Sequence, residues 1–186
     1  MADAAQKLFS NNLFETVTVE DIAKEAEFGK GTLYQYFENK EEILVFVICR
    51  GLEEVCEKIW VQCIEAEDAR LALENLIKVY YLFLEEYRNL FVSFVRRQLD
   101  GNLAPHMVEL VISTHKKKME LMNQVVNRGI EDGILKAVDT GKLVKAIEST
   151  VRGFNIQFVT VDRPDSWEEE VELIKDILFT GIFKKE

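Results

Sequence analysis

Three observations predict an all-α fold for this chain of 186 residues. Apolar residues recur at steps of three and four over long stretches, capping side chains stand at the heads of those stretches, and only two prolines and nine glycines interrupt them. Sandwiches and barrels need a turn signal roughly every dozen residues, which this composition does not supply. An apolar share of 48% against 30% charged residues fits a globular chain.

The elements follow in order. Thr18 precedes Val19-Glu20-Asp21-Ile22-Ala23. Its hydroxyl can accept the orphan N–H groups of a helix start and the two acids favour the positive helix end, which predicts a helix from about Val19 to Ala26. The stretch Glu27-Phe28-Gly29-Lys30-Gly31-Thr32-Leu33-Tyr34-Gln35-Tyr36-Phe37 gives a tight break and a second short helix, a helix-turn-helix arrangement. At 100° per residue Leu33 and Phe37 fall on one side and Gly31, Thr32 and Gln35 on the other, with Tyr34 and Tyr36 on the flanks. Lys30 and Lys40 stand at the beginnings of this helix and the next, where they suit phosphate contacts.

Asn39, with Glu42 three residues on, caps the longest helix. Its stripe Val45, Cys49, Leu52, Cys56, Ile59, Cys63 alternates steps of four and three, and the helix is expected to end near Glu67. Leu73 to Tyr87 is apolar around most of its circumference and predicts a buried helix, followed by a shorter separate one from Leu90 to Leu99 that Asp100-Gly101-Asn102 closes. Pro105 fits the first turn of a helix reaching about Glu131, and Gly133 ends it. Thr140 opens the next, to about Thr160. Asp165 or Ser166 opens the last, to about Phe183.

The net charge of −10 argues against blanket attraction to nucleic acid or anionic lipid, so any DNA contact must be local. An odd count of three cysteines, no Asn-x-Ser/Thr sequon and no signal-like N-terminus fit a reducing compartment, which predicts a cytoplasmic protein. The longest apolar runs, such as Val79 to Leu84, fall far below the ~18 residues of a bilayer span.

Ala4-Ala5, Leu8-Phe9, Phe14, Thr18 to Ala23, Lys30 to Phe37 and Asn39-Lys40-Glu41 together resemble the TetR family of helix-turn-helix transcriptional regulators. The resemblance implies a nine-helix protein. Residues 1–46 would form a three-helix DNA-binding domain, and residues 47–186 a helical domain that binds a small effector and dimerises through its last two helices. Family members normally carry a basic arm and a full first helix ahead of the equivalent of Ala4, so the arm and the start of that helix are expected to be absent here. Leu13 and Glu27 stand where the family usually has glycine, and a non-glycine residue at positive φ costs on the order of 1 kcal/mol. Gly29 replaces the usual Ser or Thr cap of the recognition helix, a change of only a few tenths of a kcal/mol.

The roles the resemblance implies are specific. Gln35 would pair bidentately with adenine, Thr32 would meet a base edge or a thymine methyl, and Gly31 would permit close backbone approach. Thr18, Lys30, Tyr34, Tyr36 and Lys40 would touch phosphate and fix register. Against this, the first fifty residues carry five Lys or Arg and nine Asp or Glu, a net of −4. Weak, strongly salt-dependent DNA binding is therefore expected. A dimer would space two recognition helices for a palindromic operator. Leu143, Ile147 and Val151 on the penultimate helix and Val171, Ile174, Leu178 and Ile182 on the last are its candidate interface. An apolar or aromatic effector would be lined by Trp60, Phe83, Tyr87, Phe91, Phe94, Met119, Met122, Phe154 and Phe158, residues that equally suit an ordinary core. Its binding would release a repressor from DNA.

No catalytic motif competes. HExxH, GxSxG, the P-loop and GxGxxG are absent, so an enzyme is not expected. Cys49, Cys56 and Cys63 are seven residues apart on one helical face, roughly 10 Å, beyond disulfide reach. His106 and His115 lie in no recognisable metal pattern, and no metal or other cofactor is assigned. The alternative to a DNA-binding regulator is an acidic helical adaptor that keeps the helix-turn-helix without DNA, and the uncharged face of Gly31, Thr32 and Gln35 argues against it.

Overall fold

The computed structural model describes residues 1–157 and 166–182, and among these it holds eight α-helices and no strand. They are α1 (Ala2–Asn11), α2 (Val19–Glu25), α3 (Lys30–Leu33), α4 (Lys40–Ile59), α5 (Ala69–Leu99), α6 (Pro105–Glu131), α7 (Thr140–Gln157) and α8 (Trp167–Ile182). The expected count of nine is corrected at one place. The two helices predicted at Leu73–Tyr87 and Leu90–Leu99 are the single helix α5. Nothing between them removes a backbone donor or relaxes the chain, since Arg88 and Asn89 are compatible with a continuing helix. The expected ends at Thr160 and Phe183 lie outside the described residues.

The chain forms two compact units, Met1–Glu53 with Glu86–His115 and Glu54–Glu85 with Lys116–Glu186, so α4, α5 and α6 contribute residues to both. In the first unit a short 3-10 turn, Phe14–Thr16, follows α1, and the rings of Phe9 and Phe14 lie 5.2 Å apart. Phe9, Ile22, Leu33, Ile43, Leu44 and Ile48 are fully buried with them. Each such side chain contributes roughly 1.5–3 kcal/mol by leaving water. Polar groups fasten α1 to the later part of α5: the Gln6 amide donates to Glu86 Oε1 at 2.7 Å and the Asn89 amide to the Ser10 carbonyl at 2.6 Å.

In the second unit the helical path continues beyond α4 as a π turn, Trp60–Ile64. The chain leaves the helix there, and the carbonyls beyond its end need donors from elsewhere. The Arg128 guanidinium supplies donors instead, reaching the carbonyl oxygens of Ala66 at 2.9 Å and Glu67 at 3.0 Å. Asp68 caps α5 by accepting from the Leu71 amide at 2.8 Å, and Asp139, rather than the expected Thr140, caps α7 through the Lys142 amide at 2.8 Å. Gly133 follows α6 at φ 71°, the left-handed position where glycine carries no steric penalty. Cys63 is fully buried and burial pushes its thiol up to about 12, as a core residue rather than a reactive one.

Candidate functional site

The helix-turn-helix is built from local chemistry. The Thr18 hydroxyl accepts from the Asp21 amide at 3.1 Å, while Asp21 Oδ2 accepts from the Thr18 amide at 2.9 Å, a reciprocal capping box that starts α2. Those bonds from Thr18 hold the Asp21 carboxyl below its ordinary range. The turn runs through Glu27 at φ 56°. Here the position that usually takes glycine is strained, whereas Leu13 relaxes into extended backbone at φ −62° and carries no such cost. Gly29 then leads into α3, and further turn hydrogen bonds carry the coil on to Phe37.

Leu33 anchors α3 in the core at 2% exposure and thereby turns the opposite face outward. Gly31, Thr32, Tyr34, Gln35 and Tyr36 all lie on solvent-exposed surface, with Tyr36 at 74%. The Lys30 ammonium pairs with the Glu20 carboxylate and lies 5.7 Å from the centre of the Tyr34 ring, and the pairing raises the lysine above its ordinary value.

Lys40 departs from the phosphate role expected of it. Its ammonium donates to the carbonyls of Phe14 and Val17, each at 2.6 Å, and sits 4.3 Å from the centre of the Phe14 ring. Phe14 opens the 3-10 turn and Val17 follows it, so the lysine bonds inward to carbonyls at both ends of that turn. Burial draws it below its ordinary value. Glu15 adds a second tie that local spacing could not reveal, approaching Arg97 at 3.3 Å.

The nine proposed effector-lining residues are divided between the two units. Tyr87, Phe91 and Phe94 belong to the first unit, and Trp60, Phe83, Met119, Met122 and Phe154 to the second. Tyr87, Phe83, Phe94 and Met122 are buried, and Phe91, Met119 and Phe154 are half-buried. Trp60 lies 48% exposed with its indole N–H donating to Glu65 Oε1, so it faces water rather than a lined interior. Phe158 lies outside the described residues.

Of the interface candidates, Leu143, Ile147, Val151, Val171, Ile174 and Leu178 are all buried within the protomer. The side chain of Ile182 lies outside the described ones. The exposed apolar residues of α8 are instead Leu173 and Ile177, each about half exposed. The candidate row therefore lies on the face of α7 and α8 that the protomer itself covers.

A polar cluster that sequence reasoning missed lies inside the second unit. Glu148 Oε1 accepts from the Lys118 ammonium at 2.7 Å, from the Arg152 guanidinium at 2.9 Å and from the Tyr80 hydroxyl at 3.1 Å. Lys118 is 1% exposed, and its ammonium lies 4.2 Å from the centre of the Tyr80 ring. Burial pulls Lys118 down to about 8 against the pull of Glu148. About two turns further along the same face of α7, Asn155 is buried, its amide donating to the Tyr81 carbonyl at 3.4 Å while its Oδ1 has no partner. The sequence did carry a signal: Lys118 stands four residues before Met122 on the buried stripe of α6, and Glu148 and Asn155 interrupt the apolar row Val144, Val151 of α7.

A capped helix, a tight turn and a short helix presenting an uncharged face define a helix-turn-helix protein. Residues 2–46 match the bacterial regulatory proteins of the tetR family. Over 136 residues, 72% of this chain and 68% of the relative, it is 26% identical to the fatty acid metabolism regulator protein of Bacillus subtilis strain 168. The structure of the regulator FadR from Bacillus subtilis in complex with stearoyl-CoA superposes with a TM-score of 0.77 at 23% identity, over 97% of each chain. The fatty acid degradation regulator FadR from Bacillus halodurans does so with a TM-score of 0.78 at 23% identity, over 96% of this chain and 92% of that one. Such relatives are transcriptional regulators, and this chain is not an enzyme. Among the described residues no helix is long and apolar enough to cross a membrane.

Proposed function

We propose that this protein is a homodimeric, cytoplasmic repressor that binds a palindromic DNA operator and is released from it by a small apolar or aromatic effector. The exposed, uncharged surface of Gly31, Thr32 and Gln35, flanked by Tyr34 and Tyr36 and held outward by buried Leu33, carries the reading. Side chains of this kind suit the major groove: Gln35 offers a donor and an acceptor to adenine, and Thr32 a methyl to thymine. Thr18, Lys30 and the two tyrosine hydroxyls would hold the phosphates. Residues 1–46 would then be the DNA-binding domain and residues 47–186 the effector-binding and dimerisation domain. Two heads must sit about 34–36 Å apart, or a multiple of that, which requires a dimer. On the last two helices Leu173 and Ile177 are the exposed apolar residues for it. The Bacillus relatives are named for fatty acid metabolism, and one held stearoyl-CoA, so acyl ligands are the first effector class to try.

Selection of a randomised duplex library tests this. Enrichment of a palindrome with half-sites one helical turn apart is the expected outcome. The net charge of −4 over the first fifty residues favours a second reading, an adaptor that has given up DNA. No enrichment even at low salt would decide for it.

A further inference from the structure

We propose that the Lys118–Glu148–Arg152–Asn155 cluster is the polar end of the effector site, taking the carboxyl-derived oxygen of an acyl ligand whose chain lies among the neighbouring apolar side chains. This rests on the effector-responsive reading above. Two cations meet one carboxylate here, which leaves a surplus positive charge beside a lysine that is 1% exposed. An ammonium has three N–H donors, yet among the described residues Lys118 meets one acceptor oxygen and one ring face. On the same side of α7, buried Asn155 holds an acceptor with no donor.

Stability alone does not explain such a group, because a buried ion pair is commonly matched or exceeded by well-packed apolar residues. Unspent donors and a charge surplus are what a bound oxygen head group would complete, and the unspent acceptor of Asn155 calls for an N–H beside it. The surroundings suit its tail. Phe83 stacks at 6.4 Å on the Tyr80 ring, Met122 stands one turn from Lys118, and Val144 and Val151 flank Glu148 on α7. The required oxygen could come from a free carboxylate or from an acyl thioester. The thioester of coenzyme A differs in also carrying an amide N–H a few bonds away, a donor that Asn155 Oδ1 lacks.

The test titrates the full chain by calorimetry with hexadecanoate, hexadecanoyl-CoA and hexadecan-1-ol, three probes of one chain length. Wild type should bind one or both carboxyl-derived probes at least about tenfold more tightly than the alcohol. Removing both charges together in K118M/E148L avoids a lone buried ion, and it should abolish that preference while the alcohol still binds. N155L should weaken hexadecanoyl-CoA alone if the thioester is the source, and neither acid probe selectively if the free carboxylate is. Equal binding of acid and alcohol by wild type, an undiminished preference in the double variant, or no binding of any probe overturns the inference. Operator binding by the ligand-free protein, read by fluorescence anisotropy, separates that outcome from failure of the repressor reading.

Discussion

Gly51 sits on α4 directly beneath Tyr87 of α5, both in the first unit, and replacing it with alanine should destabilise the protein. A Cβ built there would lie 2.8 Å from Tyr87 Cδ1 and closer still to Cε1 and Cζ. Carbon atoms rest about 3.5–4.0 Å apart, so the methyl overlaps the ring by roughly 0.7 Å or more. Tyr87 is 2% exposed, which leaves the ring no open space to turn into. On an exposed helix the same change would add about 1 kcal/mol through propensity. Overpacking a core costs about 1–3 kcal/mol. With the contact this deep, the upper part of that range applies and the net loss is about 1–2 kcal/mol. Thermal unfolding should then fall by roughly 2–8 °C for a chain of this size. Combining G51A with Y87L should cost less than the two changes summed, since each removes the reason for the other's cost. A G51A protein that melts higher than wild type would refute the packing argument.

Three further outcomes follow from the structure. Glu27→Asn should raise stability by about 0.5–1 kcal/mol in urea unfolding, because asparagine tolerates the left-handed φ of 56° that glutamate holds under strain. Between pH 8 and 10 the stability of wild type relative to K118M/E148L should rise by up to about 3 kcal/mol. In that window the unfolded chain, with an ordinary lysine near 10.5, binds a proton that the folded Lys118, drawn down to about 8 among Glu148, Arg152, Tyr80 and Cys56, has released. Above pH 10 the gain should level off, because the unfolded lysine then releases its proton as well. Lys40→Met should cost the first unit about 1.5–3 kcal/mol by hydrogen exchange or urea unfolding, through two lost bonds from a charged donor to the carbonyls of Phe14 and Val17.

The local elements were legible because their causes are local. Thr18, Asn39, Pro105 and Gly133 mark helix ends through their own backbone and side-chain chemistry, and α2, α4 and α6 begin where those residues say. No residue between Tyr87 and Leu90 breaks a helix, so the two segments expected there run on as one. What sequence could not supply depends on residues far apart along the chain. The amphipathic rows of α7 and α8 have the right period, but period alone does not say whether a face meets its own protomer or another. Lys40 reads as a surface cation until the carbonyls of Phe14 and Val17, over twenty residues away, are seen to accept its hydrogen bonds. The same holds for Lys118, which is thirty residues from the carboxylate that makes its burial tolerable. Its position on an apolar stripe was nonetheless visible, and a lone charge in such a stripe is a signal to pursue.

The ion pairs of the head also revise the expected salt dependence of DNA binding. Of its five cations, Lys7 pairs with Glu25, Lys30 with Glu20 and Arg50 with Asp3, while Lys40 is spent on backbone carbonyls. Only Lys24 has no such partner among the described residues. A lysine that leaves a glutamate for a phosphate exchanges one anion for another, so it releases few counterions beyond those the pair had already excluded. Each net phosphate contact steepens the plot of log K against log salt by about 0.9. With one or two net contacts per head, a dimer should give a slope of about −2 to −4, shallow beside the value near −10 of a strongly basic repressor. The strongly salt-dependent binding expected from total charge therefore gives way to weak binding of modest salt dependence. In that regime the contacts of Gln35 and Thr32 supply a larger share of the affinity, and the penalty for a wrong base pair should change little between 50 and about 200 mM salt. Anisotropy titrations of a selected operator and a single-base variant across that range measure both quantities, and a slope steeper than about −6 would show that the head's lysines leave their carboxylates at no cost.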